Sequence, residues 1–256
     1  MKLRRILALV KVQYKSLIRV PTTLFIILLL PVALVLIFGA AFGSIYVENY
    51  GWTNQSGTIF EFLVPGFISL SGMFIAIPVA LAFSEDREQG MLKRINTTPT
   101  TAAEFMSSHI LSNMGMAIIQ VAIIFVLTFF MRGMRKITPI GIILSFIFMV
   151  IFTLSTVGFG LITATISKSP KAAGGIVWIF MLPQQMLASN LYPLPPETGL
   201  ISMFMPLYYA SDALTLLFNG IALSNMRLWW DFLILIMFSV VLIIAGILLF
   251  QKYGRT

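Results

Sequence analysis

Ser84-Glu85-Asp86-Arg87-Glu88-Gln89-Gly90-Met91-Leu92-Lys93-Arg94 interrupts a chain that is otherwise almost free of charge. Seven ionisable side chains fall between Glu85 and Glu104, although only 10% of the 256 residues are charged. On either side lie uncharged runs, 62–84 and 105–131, each long enough to cross the roughly 30 Å of bilayer hydrocarbon as an α-helix of about 20 residues. A charged island between two such runs is a segment that water must meet. Ser84 as an N-cap, three acids in the first turns and Lys93 with Arg94 at the far end predict a short helix over 85–95, apolar through Met91, Leu92 and Ile95 and ended before Pro99. Held at the membrane surface, such a helix is shaped to dock onto a soluble partner.

Outward from this island, further uncharged runs occupy 20–47, 137–167, 172–196 and 232–251. Hydrophobic residues make up 59% of the chain and its mean hydropathy is +0.97, whereas a soluble domain carries roughly 25% charged residues. An all-α membrane protein is expected, with six transmembrane helices at about 22–42, 60–83, 105–130, 140–166, 172–191 and 229–250, in one domain over 1–256. Two further uncharged runs, 198–211 and 213–226, have only 14 residues each. They predict short extracellular re-entrant helices between spans five and six, with the region 197–228 on the outer side and leaning into the membrane.

Residues 1–20 predict an amphipathic interfacial helix. Leu3, Leu7, Val10, Tyr14 and Leu17 share one face, while Arg4, Lys11, Lys15 and Arg19 take another. The apolar run behind it exceeds the roughly 7–15 residues of a signal h-region, so a retained anchor is expected. With the N-terminus in the cytoplasm and six crossings, thirteen of the seventeen basic residues fall on the cytoplasmic side, leaving Arg132, Arg135, Lys136 and Arg227 outside. The positive-inside rule therefore places both termini in the cytoplasm of a cell-membrane protein. The net charge of +8 reads as topology and contact with anionic lipid, not as nucleic-acid binding.

The chain has no cysteine, one histidine and neither a GxSxG nor a GxxxxGK[ST] motif. No hydrolytic or nucleotide site can be assembled from it, and no bound cofactor or metal is expected. On span three His109, Asn113 and Gln120 form a polar stripe that should face protein or a water-filled path, with hydrogen bonding between helices the favoured reading. Pro65 and Pro78 are expected to kink span two. Trp229, Trp230 and Asp231 mark the outer interface of span six.

Three motifs in order carry a family resemblance. Asp86-Arg87-Glu88-Gln89-Gly90-Met91-Leu92, with Pro99 behind it, resembles the E-R-E-x-G-T-L…[ST]-P signature of ABC-2-type permeases. Leu187-Ala188-Ser189-Asn190-Leu191-Tyr192-Pro193 is similar to the family's L-S-G-x-x-x-P, and Met205-Pro206-Leu207-Tyr208-Tyr209-Ala210-Ser211-Asp212-Ala213-Leu214 to its N-P-L-x-Y-x-x-D-A-L. Asp86, Met91 and Ala188-Ser189 depart from those patterns. The resemblance implies a permease working as a homodimer or with a paralogue, energised by two cytoplasmic ABC ATPase subunits that carry ATP and Mg. It implies ATPase coupling through Glu85, Asp86, Arg87, Glu88, Gly90, Leu92, Lys93 and Arg94, with Lys168 on a second loop. It also implies a conduit near span five, where Gln184, Gln185 beside Pro183, and Asn190 are candidates, joined by Asn113 and Gln120 of span three. The expected function is export of an amphipathic drug or lipid-like substrate, with polysaccharide or glycolipid export the alternative. An ion-driven carrier fits less well, because it would be expected to carry an ionisable residue near mid-membrane and the best candidate, Glu61, sits at the outer end of span two.

Overall fold

The computed structural model describes residues 3–19, 21–48, 56–90, 102–134, 136–188, 191, 199–220 and 224–253. Ten helices are described: α1 Leu3–Arg19, α2 Pro21–Phe42, α3 Ile59–Met73, α4 Ala76–Glu88, α5 Ala102–Phe130, α6 Pro139–Ile166, α7 Pro170–Leu187, α8 Gly199–Ser202, α9 Pro206–Phe218 and α10 Met226–Tyr253. Two-residue strands β1 (Tyr46–Val47) and β2 (Gly57–Thr58) pair antiparallel between α2 and α3. The protein is an α-helical membrane protein. Among the described residues four stretches are long and apolar enough to cross a bilayer: Ile59–Glu88, Glu104–Phe130, Pro139–Ile166 and Met226–Leu249.

Helix starts follow local chemistry. Thr138 and Ser169 each stand before a proline at the first helical position and cap α6 and α7, their hydroxyls accepting from the Gly141 and Ala172 amides at 3.0 and 3.2 Å. Thr58 caps α3 by accepting from the Glu61 amide at 3.3 Å. Pro65 sits inside α3 without ending it. Pro78 has the larger effect. It cannot donate to the Phe74 carbonyl, which instead takes the Ile77 amide at 3.2 Å, and the long Ile59–Glu88 stretch breaks into α3 and α4 at Phe74–Ile75.

α6 is the centre of the bundle, with α3, α4, α5, α7, α9 and α10 all packed on it. Two of its glycines permit this. A Cβ at Gly158 would lie 2.7 Å from the Leu242 backbone of α10, and one at Gly160 would lie 2.6 Å from Val79 and 2.9 Å from the Ala76 carbonyl of α4. Small residues that let backbones approach are how helices pack where lipid competes for apolar contact. The core around α6 includes Phe60, Phe67, Ile68, Phe148, Met149, Phe152 and Leu214.

The expected helix beginning at Ser84 is not what forms. α4 runs unbroken through Ser84, which is 1% exposed, and ends at Glu88 with Gln89 as its C-cap. Gly90 at φ 65 then stops it, and a Cβ there would touch nothing within 4 Å. The acids therefore occupy the last turn of a helix, because an apolar helix with no breaker continues past a side chain that could have capped a new one.

Candidate functional site

The charged end of α4 divides its side chains into two inward and two outward. Asp86 and Arg87 turn into the protein, whereas Glu85 and Glu88 are exposed. Three acids at a helix C-terminus oppose the helix dipole, so inward partners matter. The His109 ring of α5 donates from Nε2 to Asp86 Oδ2 at 3.0 Å. That ring is 6% exposed and lies between Phe83 (centroids 4.4 Å) and Phe105 (4.5 Å).

Arg87 reaches the other way. Its Nη1 donates to the Thr165 carbonyl at 3.1 Å and its Nη2 donates to the Ser167 carbonyl, so one guanidinium satisfies two carbonyls at the C-terminal end of α6. The Ser84 and Ser167 hydroxyls lie 3.3 Å apart beneath it. The result is an open cleft of about 460 Å³ between α4 and the α6–α7 loop, walled by Glu88, Ile166 and Lys168. Glu88, Lys168 and Ile166 (56% exposed) leave it lined by an acid, a base and an apolar side chain available to a partner. Leu92, Lys93, Arg94 and Asn190 lie outside the described residues.

α1 lies along the same part of α5. Gln13 Nε2 donates to Ser108 Oγ at 3.2 Å and the Tyr14 hydroxyl donates to the Ser112 carbonyl at 3.0 Å. Burial pushes the Tyr14 phenol above its usual range, which keeps it a donor. Arg5 sits 3.9 Å from Glu104, which is 2% exposed. Leu7 and Val12, at 51% and 64% exposed, project away from the bundle.

The candidate pathway residues are placed apart. Gln120, 1% exposed, donates to the Ser71 carbonyl of α3 at 3.0 Å, a bond between helices. Asn113 donates to the His109 carbonyl of its own helix at 2.9 Å. On α7, Gln184 is 5% exposed and donates to Phe180 O at 3.2 Å, while its Oε1 is buried without a partner; Gln185 beside it is half-buried.

At the other end of the bundle, Asp212 of α9 accepts two bonds from Arg227 of α10, at 2.7 and 2.8 Å. Asp212 therefore lies level with the start of α10. Lys136 donates to the Ser56 carbonyl at 3.2 Å. Sequence reasoning missed the Asp86–His109 and Asp212–Arg227 pairs. For Asp212 and Arg227, opposite formal charges 15 residues apart in one stretch were the available signal.

A family profile described as "ABC-2 family transporter protein" matches residues 44–248. Among similar proteins, "Putative transport permease ycf38" of Cyanophora paradoxa is 24% identical over 267 aligned positions, covering 98% of this chain and 89% of the relative. "Probable multidrug ABC transporter permease YbhR" of Escherichia coli (strain K12) is 27% identical over 144 positions, covering 56% of this chain and 38% of the relative.

Proposed function

The chain belongs to the ABC-2 family of transporter proteins, and from that premise we propose that it is the membrane permease of an ATP-driven exporter, docked by separate ATPase subunits at the end of α4. The observation that carries this reading is the exposed Glu85–Glu88 edge beside the cleft under Lys168. The chain has no phosphate-binding loop of its own, so ATP energy has to arrive by movement of that edge. Two ATPase subunits, binding ATP and Mg, act on two permease chains, the second identical or a paralogue.

Six crossings are made by α2, the α3–α4 pair, α5, α6, α7 and α10, in the cell membrane with both termini cytoplasmic. At 1.5 Å per residue the 18 residues of α7 extend about 27 Å, which suffices with small local thinning. α8 and α9 return to the outer face, a reading supported by Asp212 lying level with Arg227. The substrate is an amphipathic drug-like or lipid-like molecule. Apolar helices and the buried, unpartnered Gln184 oxygen suit a mostly apolar ligand with one donor group.

The complex is to be captured from its native membranes through a tag on the permease and returned to vesicles loaded with a lipophilic fluorescent dye. Wild type is expected to move dye only with ATP, and Glu88→Lys to lower that rate about tenfold at normal insertion, since like charge at a docking edge opposes association. Unchanged efflux in the variant, or dye movement that follows a proton gradient without ATP, would overturn the reading. Topology is read separately. Ser211 is 1% exposed and cannot report, but Ser224 is exposed. A membrane-impermeant maleimide added to intact cells should label Ser224→Cys in a chain that has no native cysteine. Labelling only after lysis would invert the orientation.

A further inference from the structure

The Asp86–His109 pair is unlike a surface ion pair. Exposed pairs between long side chains contribute little because both ends are free to move. Here the imidazole is 6% exposed and held on two sides by Phe83 and Phe105, whose own rings meet at 6.3 Å. Both of those rings are themselves buried, Phe83 at 0% and Phe105 at 4% exposed. A buried donor that loses its acceptor pays its full desolvation cost, so α5 follows Asp86.

What α5 carries at this level is α1. Ser108, next to His109, receives Gln13, and one turn further the Ser112 carbonyl receives the Tyr14 hydroxyl. The fit there is close, since a Cβ at Gly115 would stand 1.8 Å from the Tyr14 oxygen. On the opposite flank of α4, Arg87 and Ser84 hold the α6–α7 loop. The end of α4 is thus bonded on two sides, with Glu85 and Glu88 left free on the third.

We propose that the Asp86–His109 pair is the joint through which displacement of the exposed end of α4 reaches α5 and α1, making both residues positioning residues for transport. The proposal rests on the exporter reading above. Its structural half does not, and is measured on the permease alone.

Spin labels on Gln89→Cys and Lys11→Cys, both exposed positions, report the spacing of the α4 end and α1 in the full-length permease in lipid nanodiscs. With His109 intact the distance distribution is expected to be narrow. His109→Leu, which keeps the bulk and removes the donor, should broaden it. His109→Gln, whose amide can donate to Asp86 from a similar reach, should restore it. Dye moved per ATP hydrolysed by the captured complex should fall about tenfold in His109→Leu and recover in His109→Gln. Should the leucine variant fail to accumulate, Asp86→Ala on the less buried side of the pair serves for the same comparison.

An unchanged distribution in His109→Leu or Asp86→Ala overturns the joint. A broadened distribution with wild-type dye per ATP overturns its role in transport. A loss that His109→Gln does not recover in either measurement assigns the residue to packing and also overturns the proposal. Failure of the exporter reading shows in a different sample: wild-type complex that moves dye without ATP ends that reading and the coupling role together.

Discussion

Replacing Gly158 by leucine is expected to leave almost no folded protein. A Cβ at this position would stand 2.7 Å from both the carbonyl carbon and the Cβ of Leu242, and 2.9 Å from the Ile243 amide nitrogen. These are mainly backbone atoms of α10, so no side-chain rotation relieves the contact. Gly246 of α10 is in the reciprocal position, its Cβ site 3.2 Å from the Gly158 carbonyl. Separating the two helices at this crossing breaks the contact along its length, and every other large helix on α6 is packed against the same cylinder. Overpacking of this kind costs about 1–3 kcal/mol where side chains can adjust, and more where backbone must move. Gly158→Leu should elute as aggregate in detergent, with Gly158→Ala intermediate. A leucine variant that is monodisperse and melts within about 2 °C of wild type would show that the crossing is looser than described.

Arg87→Ala comes second. Its guanidinium is the shared donor for the carbonyls of Thr165 and Ser167, and hydrogen bonds to a charged group contribute about 1.5–3 kcal/mol each. Part of that is screened because Arg87 is only half-buried, so a loss of about 2–3 kcal/mol is expected. This corresponds to a fall of about 8 °C in Tm for a chain of this size. Lysine should not rescue it, since a single ammonium cannot serve two carbonyls with the geometry of a planar fork. The two loops should also part. Trypsin should cut at Lys168 sooner in Arg87→Ala than in wild type, and equal cleavage rates would refute the clasp.

These two sites differ in how far the sequence foretells them. An all-α membrane protein follows from apolar runs bounded by charge, and the starts of α6 and α7 are written locally in Thr138-Pro139 and Ser169-Pro170. The family could be read from Asp86–Leu92 because that motif is contiguous. The orientation of its side chains could not. Ser84 with three following acids is the pattern of a helix start, and the same residues serve as a helix end when the apolar helix behind them has no reason to stop. Capping preferences are worth about 1 kcal/mol, too little to break a helix already held by packing on α6. Arg87, expected to take part in coupling, also bonds within the chain to two carbonyls at the end of α6, and nothing near 87 in the sequence announces 165 and 167. Gln120 was readable as a bond between helices, since a buried amide in an apolar span needs a partner, although Ser71 as that partner was not. Asp212 and Arg227 both fall in the stretch 197–228, but nothing in that stretch announced the bidentate bond that ties α9 to the start of α10.

The bond from Tyr14 to the Ser112 carbonyl also sets an order of events during synthesis. Its two ends are 98 residues apart, so at about 5–20 residues per second the ribosome needs roughly 5–20 s after making α1 to supply the groove that receives it. Until α5 is made, α1 lacks the helix that carries most of its packing and has α2 beside it. A chain stalled before residue 112 should therefore leave the Gln13–Tyr14 face of α1 open to proteases, and release of the stall should protect it.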